Sequence, residues 1–161
     1  MTRTGNERFD RQWENIERHR VWDMKIDKSI FRYIEHELYN YDETKRELAR
    51  YREDVLEGTH FPEVSVRSNP GDSTASKVVR LTSSSFVIHT EKVINAVDRS
   101  LAMLGDRHKE LFKHKYQKGL PWQEVALEMD ISDRTYFRLR RELVMTVGQQ
   151  LGLLNIEQEE A

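Results

Sequence analysis

Ten residues near the C-terminus, SDRTYFRLRR at 132–141, carry four arginines against one aspartate, a local surplus of +3. An arginine fork can donate two hydrogen bonds to O6 and N7 of a guanine, or to the oxygens of a phosphate. A helix of period 3.6 sorts this segment into two faces. Tyr136 and Leu139 turn inward, with Leu143 one turn on, while Ser132, Asp133, Arg134, Phe137, Arg138 and Arg141 turn outward. The expected chemistry is recognition of double-stranded DNA. Arg134 and Arg138, near the helix start, suit base reading. Phe137 suits a thymine methyl group. Ser132, Arg140 and Arg141 suit phosphates, which fix register rather than sequence, and Thr135 completes the expected contact set.

Such a face is useful only if a second helix holds it out from the protein. Residues 120–141 fit a helix-turn-helix, in which two helices meet at a steep angle across a tight turn. Ala126 supplies the small residue at the crossing, Val125 and Met129 the flanking apolar contacts, and Ile131 the buried residue of the turn. Together with Tyr136 and Leu139 these six form the expected motif core. Pro121 is expected just inside the first helix, where its missing N–H costs nothing, and Ser132 is a good N-cap for the second. Asp130 stands in the turn where a left-handed residue is needed, a conformation Asp tolerates better than most. The blander alternative is an amphipathic helix pair with an ordinary solvated arginine face.

The rest of the chain must position this motif. It has 161 residues, 37% hydrophobic and 34% charged, a formal net charge of −2 and no cysteine. The case for DNA therefore rests on local charge, not on the total. Disulfides and Cys-based zinc sites are excluded, and no run approaches the ~20 apolar residues of a membrane span. The expectation is an all-α, cytoplasmic protein.

Four regions are expected. Residues 1–58 form an N-terminal helical, oligomerising region, 59–83 a flexible linker, 84–154 a helical bundle carrying the helix-turn-helix, and 155–161 an acidic tail. In the first, Phe9, Trp13, Ile16 and Val21 suggest a helix over residues 7 to about 24. Asp27 or Ser29 then caps a helix with the stripe Ile30, Tyr33, Ile34, Glu37 and Leu38. Asn40, Tyr41 and Asp42 break the pattern, and a further helix bears Leu48, Tyr51, Val55 and Leu56 up to Gly58. Two helices so joined should form an antiparallel hairpin. The linker is rich in Pro, Gly, Ser and Thr (SNPGDSTASK), and the alternation at Val64 and Val66 fits a short strand as well as plain flexibility. From Ser84 or Ser85 a helix carries Val87, Thr90, Ile94, Val97, Leu101 and Leu104 at alternating spacings of three and four, a seam that seals a core or pairs with another chain. Asp106 caps the next helix, whose inner side is Leu111, Phe112, Lys115 and Tyr116, and Gly119 ends it.

No enzyme active site is legible. The histidines at 19, 36, 60, 89, 108 and 114 have no metal-ligand spacing, Glu35 and Glu37 read as solvated charges, and Trp122 reads as a packing residue. No metal and no cofactor is expected.

The stretch LFKHKYQKGLPWQEVALEMDISDRTYFRLRRELV resembles the fourth region of sigma-70-type factors. Over residues 28–152 the chain resembles the RinA/ArpU family of phage transcriptional regulators, on YIEHELYNYDETKRELARYREDVL, SNPGDSTASK and ISDRTYFRLRRELV. That resemblance implies a late-gene activator of a phage or prophage, with promoter DNA, other copies of itself and RNA polymerase as partners. The alternative expectation is a small terminase-like DNA-packaging protein. A third is a helical adaptor without DNA binding.

Overall fold

The computed structural model describes residues 26–57 and 74–154. The expected helix over 7–24, the strand at Val64 and Val66, most of the linker and the acidic tail lie outside these residues. Within them the fold is all-α, with helices α1 (Lys28–Glu57), α2 (Thr74–Ser83), α3 (Ser85–Leu104), α4 (Asp106–Phe112), α5 (Trp122–Glu128) and α6 (Asp133–Gln150).

The N-terminal hairpin is not present. Lys28–Glu57 is one unbroken helix of 30 residues, about 45 Å long. Asp27 starts it, accepting from Ser29 N at 2.7 Å. The sequence contains no Gly or Pro between 28 and 57. Asn40 and Asp42 are poor helix formers, but each costs well under ~1 kcal/mol. Tyr41 between them is a core residue. It is buried, meets Phe112 edge-on at 5.4 Å between ring centroids, and donates its hydroxyl hydrogen to Asp98. The buried stripe Ile34, Leu38, Tyr41, Leu48 and Val55 therefore runs straight through the apparent break. Lys45 hid that continuity, because it is a polar residue lying over the Tyr41 ring at 4.7 Å.

Residues 74–83 of the expected linker are helical as α2. Their hydroxyls bond within the helix, Ser83 Oγ to Val79 O at 2.6 Å and Thr82 Oγ1 to Val78 O at 3.0 Å. Lys77 Nζ ties α2 to the end of α1 by donating to Leu56 O at 2.7 Å. Ser84 caps α3. The α3 seam is used inside the chain. Val87, Thr90, Ile94 and Val97 are buried, and Leu101 and Leu104 pack against the same core.

After α4 the chain winds more loosely, as a π-helical turn, Lys113–Gln117, with Lys118 N donating to Lys113 O at 3.0 Å. The wider turn brings His114, Lys115 and Tyr116 inside one after another. Gly119, at φ 69°, then reverses the chain in a conformation that L side chains rarely adopt.

Helix α6 lies at the centre and packs against α1, α3, α4 and α5. Residues 142–148 are all buried. One hydrophobic core joins Ile34 and Leu38 of α1 to Val93 and Val97 of α3 and Leu143, Val144 and Val147 of α6. The helical segment before the linker and the bundle after it thus share a core instead of standing as separate regions. Gly148 permits that approach. A Cβ there would lie 2.8 Å from Ile34 Cδ1 and 2.6 Å from Leu154 Cδ1.

Candidate nucleic-acid interface

Helices α5 and α6 are joined by the four residues 129–132. The turn is closed by the chain itself. Ile131 N donates to Ala126 O at 3.0 Å, and Asp130 N donates to Leu127 O at 3.2 Å. This nested pair is a Schellman closure, whose middle residue must be left-handed, and Asp130 has φ 49°. Pro121 is the residue just before α5, not the first inside it, and its carbonyl accepts from Val125 N at 3.1 Å. Ser132 caps α6, its hydroxyl accepting from Thr135 N at 3.2 Å.

The six residues expected to face inward do so in two grades. Val125, Ala126, Tyr136 and Leu139 are buried. Met129 and Ile131 are half-buried against the core. On the other face Ser132, Asp133 and Arg134 are exposed, and Thr135 is half-buried. Arg138 is half-buried, and its Nε makes no hydrogen bond among the described residues. Arg141 is also half-buried. Phe137 keeps 45% of its surface exposed, but its ring packs against Trp122 at 5.4 Å and Tyr136 at 5.1 Å. Trp122 is a packing residue, shared between α5 and the start of α6.

Arg140 departs from the expected phosphate role. It lies two residues beyond Arg138, about 200° around the helix, and so points back into the protein. Its Nε and Nη2 donate to the two oxygens of Glu35 at 2.7 and 2.5 Å. The Phe31 ring lies 5.0 Å from its guanidinium carbon. The bonds to Glu35 raise the affinity of this guanidinium for its proton, outweighing burial. Glu35 is likewise not a solvated charge, since only 15% of its side chain is exposed. Burial pushes its carboxyl up, but the bonds and charge of Arg140, with Tyr116 and Lys115, outweigh this and hold it below the usual carboxylate range. Tyr116 donates to Glu35 at 3.0 Å. Lys115 Nζ donates to Tyr39 at 2.8 Å and lies 5.2 Å from the Tyr39 and Tyr116 ring centroids.

A further pair, this one buried, joins α4 to α6. His108 Nε2 and Glu142 Oε2 are 2.8 Å apart, and both residues are buried. Neither pair is legible in the sequence. The partners are separated by 105 and 34 residues in sequence, so no local spacing announces them. The one available signal was that Arg140 falls on the inward face of its helix. Among the described residues, no group of three His, Cys, Asp or Glu could hold a metal ion, and no helix is long and apolar enough to cross a membrane.

Among the described residues, the fold is all-α, and its candidate site is a pair of helices, α5 and α6, joined by a tight closed turn. A family model described as a protein of unknown function, DUF722, matches residues 23–149, and the chain belongs to that family. The match takes in all six helices except the last residue of α6. No curated protein and no solved structure matches the chain.

Proposed function

We propose that this protein is a sequence-specific double-stranded DNA-binding regulator of transcription, acting through the outer face of α6. The observation that carries the reading is the division of α6 around its start. Tyr136 and Leu139 are buried, while Ser132, Asp133 and Arg134 are exposed and Arg138 flanks them. A capped helix with arginine in its first two turns matches the geometry in which a recognition helix enters a major groove N-terminus first. Arg134 and Arg138 read base edges, each contact contributing about 1–3 kcal/mol of discrimination. Ser132, Thr135 and Arg141 hold phosphates. The exposed Lys113 and Lys118, on and just after the π-helical turn that packs against α5, take the phosphate role that Arg140 does not fill.

The resemblance to RinA/ArpU regulators supports a phage or prophage late-gene activator that engages RNA polymerase. A single small head reads few base pairs, so several copies act together on one site. The α3 seam and the α1 stripe are buried within the chain, so they are not the contact between copies. Among the described residues, the exposed apolar side chains Leu56, Val78, Val79, Phe86 and Ile88 at the end of α1, on α2 and at the start of α3 offer a surface for that contact.

The test is selection of bound sequences from a random duplex pool, followed by a reporter driven by the selected site. The proposal expects a defined site, repeated or palindromic, and a reporter that responds. A packaging protein would instead assemble rings on its site without activating the reporter. Absence of salt-sensitive duplex binding would refute both and leave the adaptor.

A further inference from the structure

Glu35 lies on α1, 105 residues before its partner Arg140, yet it grips the same helix that carries Arg134 and Arg138. We propose that Glu35 is a positioning residue. By locking Arg140 against α1 it sets how the reading face of α6 meets DNA, so sequence discrimination depends on a residue that touches no DNA. This inference rests on the DNA reading above and extends it to the control of that face.

Three observations carry it. The first is geometry. A two-pronged bond at 2.7 and 2.5 Å fixes both the distance and the rotation of the guanidinium, which a single contact would not do. The second is place. Arg140 is six residues beyond Arg134, about 9 Å along the axis, and on the opposite face from Arg138. The clamp therefore restrains α6 directly behind Arg138 and within two turns of Arg134. The third is reinforcement along one side of α1. Phe31 backs the guanidinium, Ile34 fills the space at Gly148, and Tyr39 holds Lys115 of the π-helical turn. Further along, Asp42 accepts from Gln117 at 3.1 Å. The long helix thus straps the back of the helix-turn-helix at successive turns, and Glu35 is the one member of the strap that bonds to α6 through paired charges.

Simple electrostatics makes the opposite forecast. Glu35 is an acid near a proposed phosphate-binding surface, so its neutralisation should tighten DNA binding in general. Positioning predicts that neutralisation weakens binding to the correct site alone.

The experiment measures the full-length chain and the variants Glu35→Gln, Arg140→Gln and the double variant, at a temperature where all are folded. Each is titrated with the selected duplex and with a scrambled duplex over a salt series. Thermal unfolding without DNA is recorded in parallel. Glu35→Gln is expected to weaken binding to the selected duplex roughly tenfold, with unchanged affinity for the scrambled one and an unchanged salt slope. The double variant should lose no more than the worse single one. Tighter binding by Glu35→Gln, with the salt slope steepened by about one phosphate, would instead make Arg140 a contact held in reserve, and would overturn the proposal. Equal losses on both duplexes, or none on either, would also overturn it. If the unmodified chain binds no duplex, the DNA reading fails. The clamp is then judged on unfolding alone, where less-than-additive shifts sustain it and additive shifts remove it.

Discussion

In the first turns of α6 Arg134 and Phe137 are exposed and Arg138 is half-buried, whereas residues 142–148 are buried on every side. One helix of 18 residues therefore lives in two environments. Its second half, through Gly148, runs through the centre of the core. Its first half is a capped end with one face, Tyr136 and Leu139, in the core and the other, Arg134 and Phe137, exposed. A helix anchored this way can present side chains rigidly without a large domain behind it, because its own continuation is the anchor. Arg140 marks the border. It shares the sequence character of Arg134 and Arg138, but the protein spends its charge internally, on Glu35. Charge in a short segment thus does not translate directly into charge at an interface.

Several substitutions would sharpen or break this division. The largest effect belongs to the buried half. Leu143→Ala removes a fully buried side chain and should cost about 2–5 kcal/mol of stability in a denaturant titration. Any loss of DNA binding should follow from unfolding alone. Arg134→Ala should behave conversely, costing about 1–3 kcal/mol in affinity for the selected duplex with the melting temperature unchanged. Ser132→Ala sits at the junction. Loss of the cap should cost about 1 kcal/mol of stability, read in the same titration. Asp130→Gly should raise stability by roughly 0.5 kcal/mol, since glycine adopts φ 49° without the Cβ penalty that Asp carries.

The border residues add a pH dependence. The carboxyl of Glu35 is held below its ordinary value in the folded chain. Its contribution to stability is therefore complete above the unfolded value of about 4.3 and is lost as the pH falls through the lower folded value. Melting temperature should drop more steeply on acidification below about pH 4.3 in the unmodified chain than in Glu35→Gln.

What was legible in the sequence was local. The helix-turn-helix could be read because each requirement falls within a few residues: Ala126 at the crossing, Asp130 in the turn, Ser132 at the cap. What was not legible depended on distant partners. Asn40 and Asp42 looked like a break because their propensities are poor, and only the packing of Tyr41 against Phe112 and Asp98 overrides them. Thr74–Ser83 looked like linker because Ser and Thr favour turns, and its hydroxyls turn out to bond back along the helix. Arg140 shares the charge of its neighbours, although its helical angle sets it apart. Glu35 carried no signal, since nothing near it in sequence distinguishes it from Glu37.

The central claim, that the exposed start of α6 reads DNA, is tested most directly by titrating the selected duplex with the unmodified chain and with Arg134→Ala/Arg138→Ala over a salt series. The double variant should keep its melting temperature and its weak affinity for scrambled duplex, and lose its preference for the selected site. Binding of the selected site by the double variant with undiminished affinity and discrimination would contradict it.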